Sequence, residues 1–162
     1  MRTLNLIDMT TTTRKNGEIV KVKLPYRSLP SSCHLYAAND FHVGNIETSD
    51  DTIERFVRVV KSKKNSRVYL QGDQLESIMI NDPRFGLDVH CSRGPRIDAQ
   101  RDAFLELLDP IADRVLWILD GNHERRLSNI ALPNKDIAKQ WDTVYAYGTL
   151  VKAIFPGFRL CS

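Results

Sequence analysis

Val115-Leu116-Trp117-Ile118-Leu119-Asp120-Gly121-Asn122-His123-Glu124 begins as an unbroken apolar run and ends in a polar, turn-prone segment. Apolar residues without polar alternation read as a strand buried on both faces, at the centre of a covered sheet. The same pattern recurs twice upstream. Leu35-Tyr36-Ala37-Ala38 runs into Asn39-Asp40-Phe41-His42, and Val68-Tyr69-Leu70 into Gln71-Gly72-Asp73-Gln74-Leu75-Glu76. An open α/β sheet places its ligand site at the carboxyl ends of its strands. Three strands that each end in a metal-binding type of side chain therefore predict one shared site.

Asp40, His42, Asp73, Asn122 and His123 make a mixed oxygen and nitrogen donor set without cysteine. Such a set suits borderline-hard divalent ions such as Mn, Fe, Zn, Co or Ni. Spaced i and i+2, Asp40 and His42 project to the same side of an extended backbone. Singly, Asp-x-His and Gly-Asp are commonplace. Gly-Asn-His-Glu arises by accident in roughly one chain of this size in a thousand. The bland reading makes Asp40 and Asp73 helix caps and Asn122 a turn residue. Three strand-then-loop contexts in succession favour a metal site, and with it a metal-dependent hydrolase.

With these motifs in this order, residues 35–126 resemble the calcineurin-like metallophosphoesterase family, whose first three signature blocks follow the same sequence. The Glu after Gly-Asn-His, the Arg125-Arg126 behind it and the Leu107-Leu108-Asp109-Pro110 ahead of it look most like bacteriophage-type members. The resemblance implies an α/β fold, a sandwich of β-sheets flanked by helices. It also implies a phosphatase, phosphodiesterase or nuclease that works through two divalent metal ions. By resemblance, Asp40 and His42 serve the first metal, Asp73 bridges both and Asn122 binds the second. His123 contacts the phosphate or assists the leaving group, so that Asn122, His123 and Arg125 meet the substrate.

The departure from the family is as informative as the match. Members complete the site with a later Gly-His block and then a Gly-His-x-His block. No histidine follows His123 here, and the chain stops at Cys161-Ser162. The expectation is an N-terminal portion of a longer protein or a truncated relative, holding one metal much better than two. A metal-binding but inactive scaffold or regulatory domain is the alternative on the same residues. A nucleic-acid-binding module without catalysis finds no aromatic–basic signature.

At 162 residues, 42% hydrophobic and 27% charged, the composition is that of a folded globular chain. There is room for one modest domain with a real core, residues 1–32 giving a hairpin and connector and 33–130 the metal-site core. No apolar run approaches the roughly 20 residues that a bilayer crossing needs. Residues 1–13 lack a signal-peptide core, so no membrane partner and a cytoplasmic location are expected. Cys33, Cys91 and Cys161 are odd in number with no CxxC pair, and read as reduced thiols. The net charge of +3 permits attraction to phosphate-bearing partners, a nucleotide or nucleic acid among them, without arguing for one. Lys61, Lys63, Lys64 and Arg67 fall where a helix should end, and cations there complement the helix dipole.

A pass along the chain sets these motifs on elements. Residues 3–24 read as a β-hairpin around Asn16-Gly17, and 26–32 as a connector. Thr48-Ser49-Asp50-Asp51 has capping-box character, with Ile53, Phe56, Val57 and Val60 following at helical spacing. Strand, helix and strand from 34 to 72 make a βαβ unit, which implies parallel strands and puts Asp40 and Asp73 at one sheet edge. Residues 77–96 are broken by Pro83, Gly86, Gly94 and Pro95 and read as a lid or substrate loop. His90 tempts there as an extra ligand, although a solvated loop position suits it better. Arg84, Arg93 and Arg96 offer themselves as phosphate clamps. A helix over 97–108, stopped by Asp109-Pro110, and another over 135–141 follow, while 143–155 stays open between strand and helix.

The chemistry follows from the ligand types. A bridging carboxylate lets two cations sit about 3.5–4 Å apart and lower the pKa of a shared water, whose hydroxide attacks phosphorus in line. His123 can protonate the leaving group, a role that suits histidine as a residue type because an imidazole exchanges its proton near neutral pH. Asp120 either orients His123 through its ring nitrogen or merely starts the turn.

Overall fold

The β-branched residues on either side of the Asn-Gly pair form strands, as their preference for a pleated surface predicts. In a computed structural model, which describes residues 8–14, 17–23, 34–90, 92–93, 96–147, 150–155 and 158–161, β1 (Asp8–Arg14) pairs antiparallel with β2 (Gly17–Lys23). The expected hairpin forms over these residues. Asn16, the connector over 26–32, Cys33 and Cys91 lie outside the described residues.

The βαβ unit follows. β3 (His34–Ala38) leads through α1 (Asp50–Ser62) to β4 (Ser66–Leu70), and the two strands pair parallel from His34 opposite Ser66 to Ala38 opposite Leu70. Ser49 starts the helix, its Oγ accepting from the Thr52 N–H at 3.3 Å, and Asp50 and Asp51 fill the first turn where the dipole favours anions. Ile53, Val57 and Val60 are buried, as their spacing predicts.

Residues 71–86 carry no helix or named strand; α2 (Leu87–His90) is a single turn and α3 (Ile97–Leu108) a regular helix. A 3₁₀ segment over Asp109–Arg114 carries Pro110 in its first turn, where the missing N–H is harmless. Then come β5 (Val115–Leu119), α4 (Asn122–Arg125), α5 (Pro133–Trp141), β6 (Val144–Ala146), β7 (Leu150–Phe155) and β8 (Phe158–Cys161). The stretch left open over 143–155 thus supplies two strands.

Strands β3-β4-β5-β6 form a four-stranded parallel sheet in that order. A second four-stranded sheet, β1-β2-β7-β8, is mixed, because β2 pairs parallel with β7 while the other pairs run antiparallel. The architecture is α/β. One apolar cluster joins Val57 and Val60 of α1, Val68 and Leu70 of β4, Phe104 and Leu108 of α3, Ile118 of β5, and Ile137 and Trp141 of α5. Burying a side chain of this size contributes roughly 1.5–3 kcal/mol. Such a core holds the sheet rigid enough to fix the directions of the loops at its edge. Among the described residues no helix is long and apolar enough to cross a membrane.

Candidate metal centre

The parallel order of β3, β4 and β5 brings three carboxyl ends side by side. Ala38 leads to Asp40 and His42, Leu70 to Asp73 and Glu76, and Leu119 to Asn122 and His123. Backbone hydrogen bonds zip the first two loops together. Asp40 N–H donates to the Gly72 carbonyl (3.1 Å), His42 N–H to that of Asp73 (3.0 Å), and Val43 N–H to that of Gln74 (3.0 Å).

The third loop joins the second through side chains. His123 N–H donates to Asp73 Oδ1 at 2.9 Å. Glu124, almost wholly buried, accepts from the backbone N–H of Asp73 (3.0 Å), Leu75 (3.0 Å) and Gly121 (2.9 Å). One carboxylate therefore satisfies donors from both loops. Burial pushes its pKa up, against the pull of those N–H groups. The approach is so close that a Cβ at Gly121 would strike the Asp73 carboxylate, and one at Gly72 (φ +115°) would strike Gly121. Both motifs carry glycine for this reason.

Within this frame, Asp40, His42 and Asp73 each present a ligand atom within 4.8 Å of the others, and so do His42, Glu76 and His123. His42 belongs to both groups. Asp40 (φ 55°), His42 (φ 49°) and Asp73 (φ 54°) all sit in the left-handed region. For a residue with a Cβ that conformation costs on the order of 1–3 kcal/mol, and it persists only where the surroundings over-determine it. The inter-loop hydrogen bonds supply that constraint. Strain here aims side chains.

His42 Nδ1 faces Glu76 Oε2 at 3.0 Å, while its Nε2 lies 3.6 Å from Asp40 Oδ1. A carboxylate only accepts, so Nδ1 carries the proton and the Nε2 lone pair points toward Asp40. A carboxylate behind a histidine in this way fixes its tautomer for metal binding. That hydrogen bond is the main reason the His42 pKa is raised, with burial opposing it. Burial works to raise the Glu76 pKa, but the His42 hydrogen bond and the charge of His123 hold it below the ordinary glutamate value.

His123 Nδ1 makes a short contact with the Glu76 carbonyl oxygen. Since a carbonyl only accepts, Nδ1 donates and Nε2 is left for a substrate. The His42 and His123 rings meet edge to face, 4.5 Å between centroids. Asp40, His42, Asn45, Thr48, Glu76 and His123 are among the residues that line an open cavity of about 310 Å³.

Three of the residues named from sequence, Asp40, His42 and Asp73, share a ligand group, and His123 shares the second with His42 and Glu76. Asn122 is exposed at the first position of α4, between two residues that touch Asp73. Asp120 departs from its expected role. Ile118 pairs with Tyr145, and strand alternation puts Asp120 on the face of Tyr145 rather than that of His123. Its Oδ2 accepts from the Tyr145 hydroxyl at 2.5 Å, and burial raises its pKa. The Glu76 carbonyl meets His123 Nδ1 in its place.

The arginines suggested as phosphate clamps are each paired with a carboxylate, two within their own segment and one across to α1. Arg84 meets Asp82, Arg96 meets Asp98, and Arg93 meets Asp50 at the start of α1. Arg125 is exposed, with its guanidinium carbon 5.9 Å from the centre of the Tyr147 ring. His90 ends α2, a turn tied to the site loop by the Ile46 N–H donating to the Val89 carbonyl (2.8 Å).

Sequence reading assigned no role to Glu76 or Glu124. A signal for Glu124 was present: three residues after Gly121, it occupies the position from which a first-turn glutamate reaches back to the capping N–H. For Glu76 the only signal was an acid in the same loop as Asp73.

The donor set suits a divalent cation. The two groups, which share His42, offer carboxylates and imidazoles and, among the described residues, no thiol, a harder set than zinc's structural cysteine sites. No family model, no curated protein and no solved structure matches this chain.

Proposed function

We propose that this chain is a metal-dependent phosphoesterase of the calcineurin-like kind, hydrolysing phosphomonoester or phosphodiester bonds. The observation that carries the reading is the convergence of Asp40, His42, Asp73, Glu76 and His123 from loops after successive parallel strands. The order of the motifs along the chain supports it.

Asp40, His42 Nε2 and Asp73 would hold the first cation, and Asp73 with Asn122 the second. Divalent cations in such a set supply Lewis-acid activation of water and neutralise charge on the phosphoryl oxygens. The chain's own residues do the rest. Glu76 fixes the His42 tautomer from behind. Asp73 is pinned through Oδ1 by the His123 N–H, which fixes that carboxylate between the second and third loops. With both ring nitrogens protonated, Nδ1–H held by the Glu76 carbonyl, His123 would pass its Nε2 proton to the leaving oxygen as the phosphorus–oxygen bond breaks, while the attacking water forms the new bond to phosphorus and loses its own proton to solvent.

Calorimetric titration with Mn²⁺, paired with hydrolysis of p-nitrophenyl phosphate and its bis ester, tests the reading. Asp73→Asn should abolish tight Mn²⁺ binding, while His123→Ala should keep most of it and lose turnover. Equal loss in the two variants, or binding indifferent to Asp73→Asn, overturns the assignment of roles. Tight binding with no turnover by the unaltered chain would favour the inactive metal-binding domain.

A further inference from the structure

We infer that Tyr147 and Arg125 form a platform for a flat ring in the organic part of the substrate, so that the site takes nucleosidic phosphate esters in preference to alkyl ones. The inference rests on the phosphoesterase reading and names its substrate class. Tyr147 is the first residue beyond β6, the fourth strand to reach the carboxyl edge. Leu119 pairs with Ala146, so Tyr147 stands beside Asp120, next to the Gly121 that packs on Asp73. Neighbouring strands lie about 4.8 Å apart. Arg125 of α4, two residues after His123, meets the Tyr147 ring with 5.9 Å from guanidinium carbon to ring centroid, which brings the ring within one side chain's reach of the helix that carries Asn122 and His123.

Two further features fit the role. The Tyr145 hydroxyl bonds to buried Asp120 at 2.5 Å and anchors the strand end from which Tyr147 projects. Tyr147 keeps 49% of its surface exposed, and Arg125, two residues after His123, lies over its ring. Nucleobases stack on aromatic rings and on guanidinium planes, and the cation adds attraction for phosphate. A bare phosphate or a short alkyl ester would leave both groups unused.

The test compares adenosine 5′-monophosphate with ribose 5-phosphate, which share the phosphate and the sugar and differ in the base. Each is titrated calorimetrically onto the whole chain loaded with Mn²⁺. The nucleotide should bind about tenfold more tightly, the size of one stacked base. Tyr147→Leu should erase that preference without changing Mn²⁺ affinity or the affinity for ribose 5-phosphate, and Tyr147→Phe should keep it. Equal binding of the two probes, or a preference that survives Tyr147→Leu, overturns the inference while leaving the metal site standing. Failure of Mn²⁺ itself to bind defeats the phosphoesterase reading and this inference with it.

Discussion

The amino and carboxyl edges of the parallel sheet are built from the same four strands and solve different problems. At the amino edge, polar groups close the structure. Arg114 donates to the carbonyls of Val60 (2.6 Å) and Lys63 (2.9 Å) and to Ser66 Oγ (2.6 Å), and Ser66 Oγ donates to the Val60 carbonyl (2.7 Å). Carbonyls at a helix end lack partners within the helix, so a cation from another segment caps α1. Among the described residues there, the left-handed one is Asp142 (φ 52°), the C-cap of α5, where that conformation is routine. At the carboxyl edge, Asp40, His42, Asp73 and Ser77 all have positive φ. Glu76 and Glu124 are buried there as well. Strain and buried charge collect where side chains must be aimed. The fold tolerates them because the opposite edge and the apolar cluster are conventionally paired and packed.

Glu124→Ala should break this contrast most severely. It strands three backbone donors, and each buried unmade hydrogen bond costs about 1–3 kcal/mol, so urea denaturation of the metal-free chain should show a loss of about 3 kcal/mol or more. Glu124→Gln, which keeps an acceptor oxygen, should lose roughly half as much. A loss below about 1 kcal/mol for the alanine variant would mean that the loops hold their shape without this carboxylate.

At the amino edge Arg114→Ala should cost about 1–2 kcal/mol of stability, in keeping with hydrogen bonds from a charged donor that is partly exposed. Its Mn²⁺ affinity should not move. Any large change in affinity would show that the two edges are coupled and that the division between them is wrong.

The smallest effect belongs to Glu76→Gln, which should weaken Mn²⁺ binding about tenfold, the low end for a partner behind a ligand. Its pH profile sharpens the point. The Glu76 hydrogen bond raises the His42 pKa above its ordinary 6.5, so protons compete with metal up to a higher pH and affinity climbs as pH rises through that region. Removing the carboxylate lowers the His42 pKa. The climb should then begin at lower pH and reach a lower plateau. A chelator competition series that shows an unmoved midpoint would assign Glu76 no hold on His42.

Much of the frame was legible in the chain. Val115 to Leu119 formed the expected strand, the βαβ unit over 34–72 paired in parallel, and the helix over 97–108 took those bounds. These features are local, set by a run of apolar side chains, a capping serine or a proline. The roles of single acids were less readable. Asp120 stands close enough to His123 in sequence either to orient its ring or simply to start the turn, and alternation turns it to Tyr145. Lys61 does fall in the last turn of α1, as its place in the basic run implies, but the cation that caps the carbonyls there is Arg114, far along the chain.

What the sequence by itself determined is the list of ligand-type residues, their delivery by strand ends, and the parallel order that brings Asp40 and Asp73 to one edge. Periodicity and the handedness of βαβ crossovers suffice for that, since both act over short stretches. Tertiary structure alone decided that Glu76 stands behind His42, that Glu124 clasps two loops and that Tyr147 comes up beside them. Apart from the Gly121–Glu124 bond within one turn, those contacts join residues 27 to 51 positions apart. Their partners are selected by sheet register and by the close approach of Gly72 to Gly121, a geometry that exists only once the strands have paired.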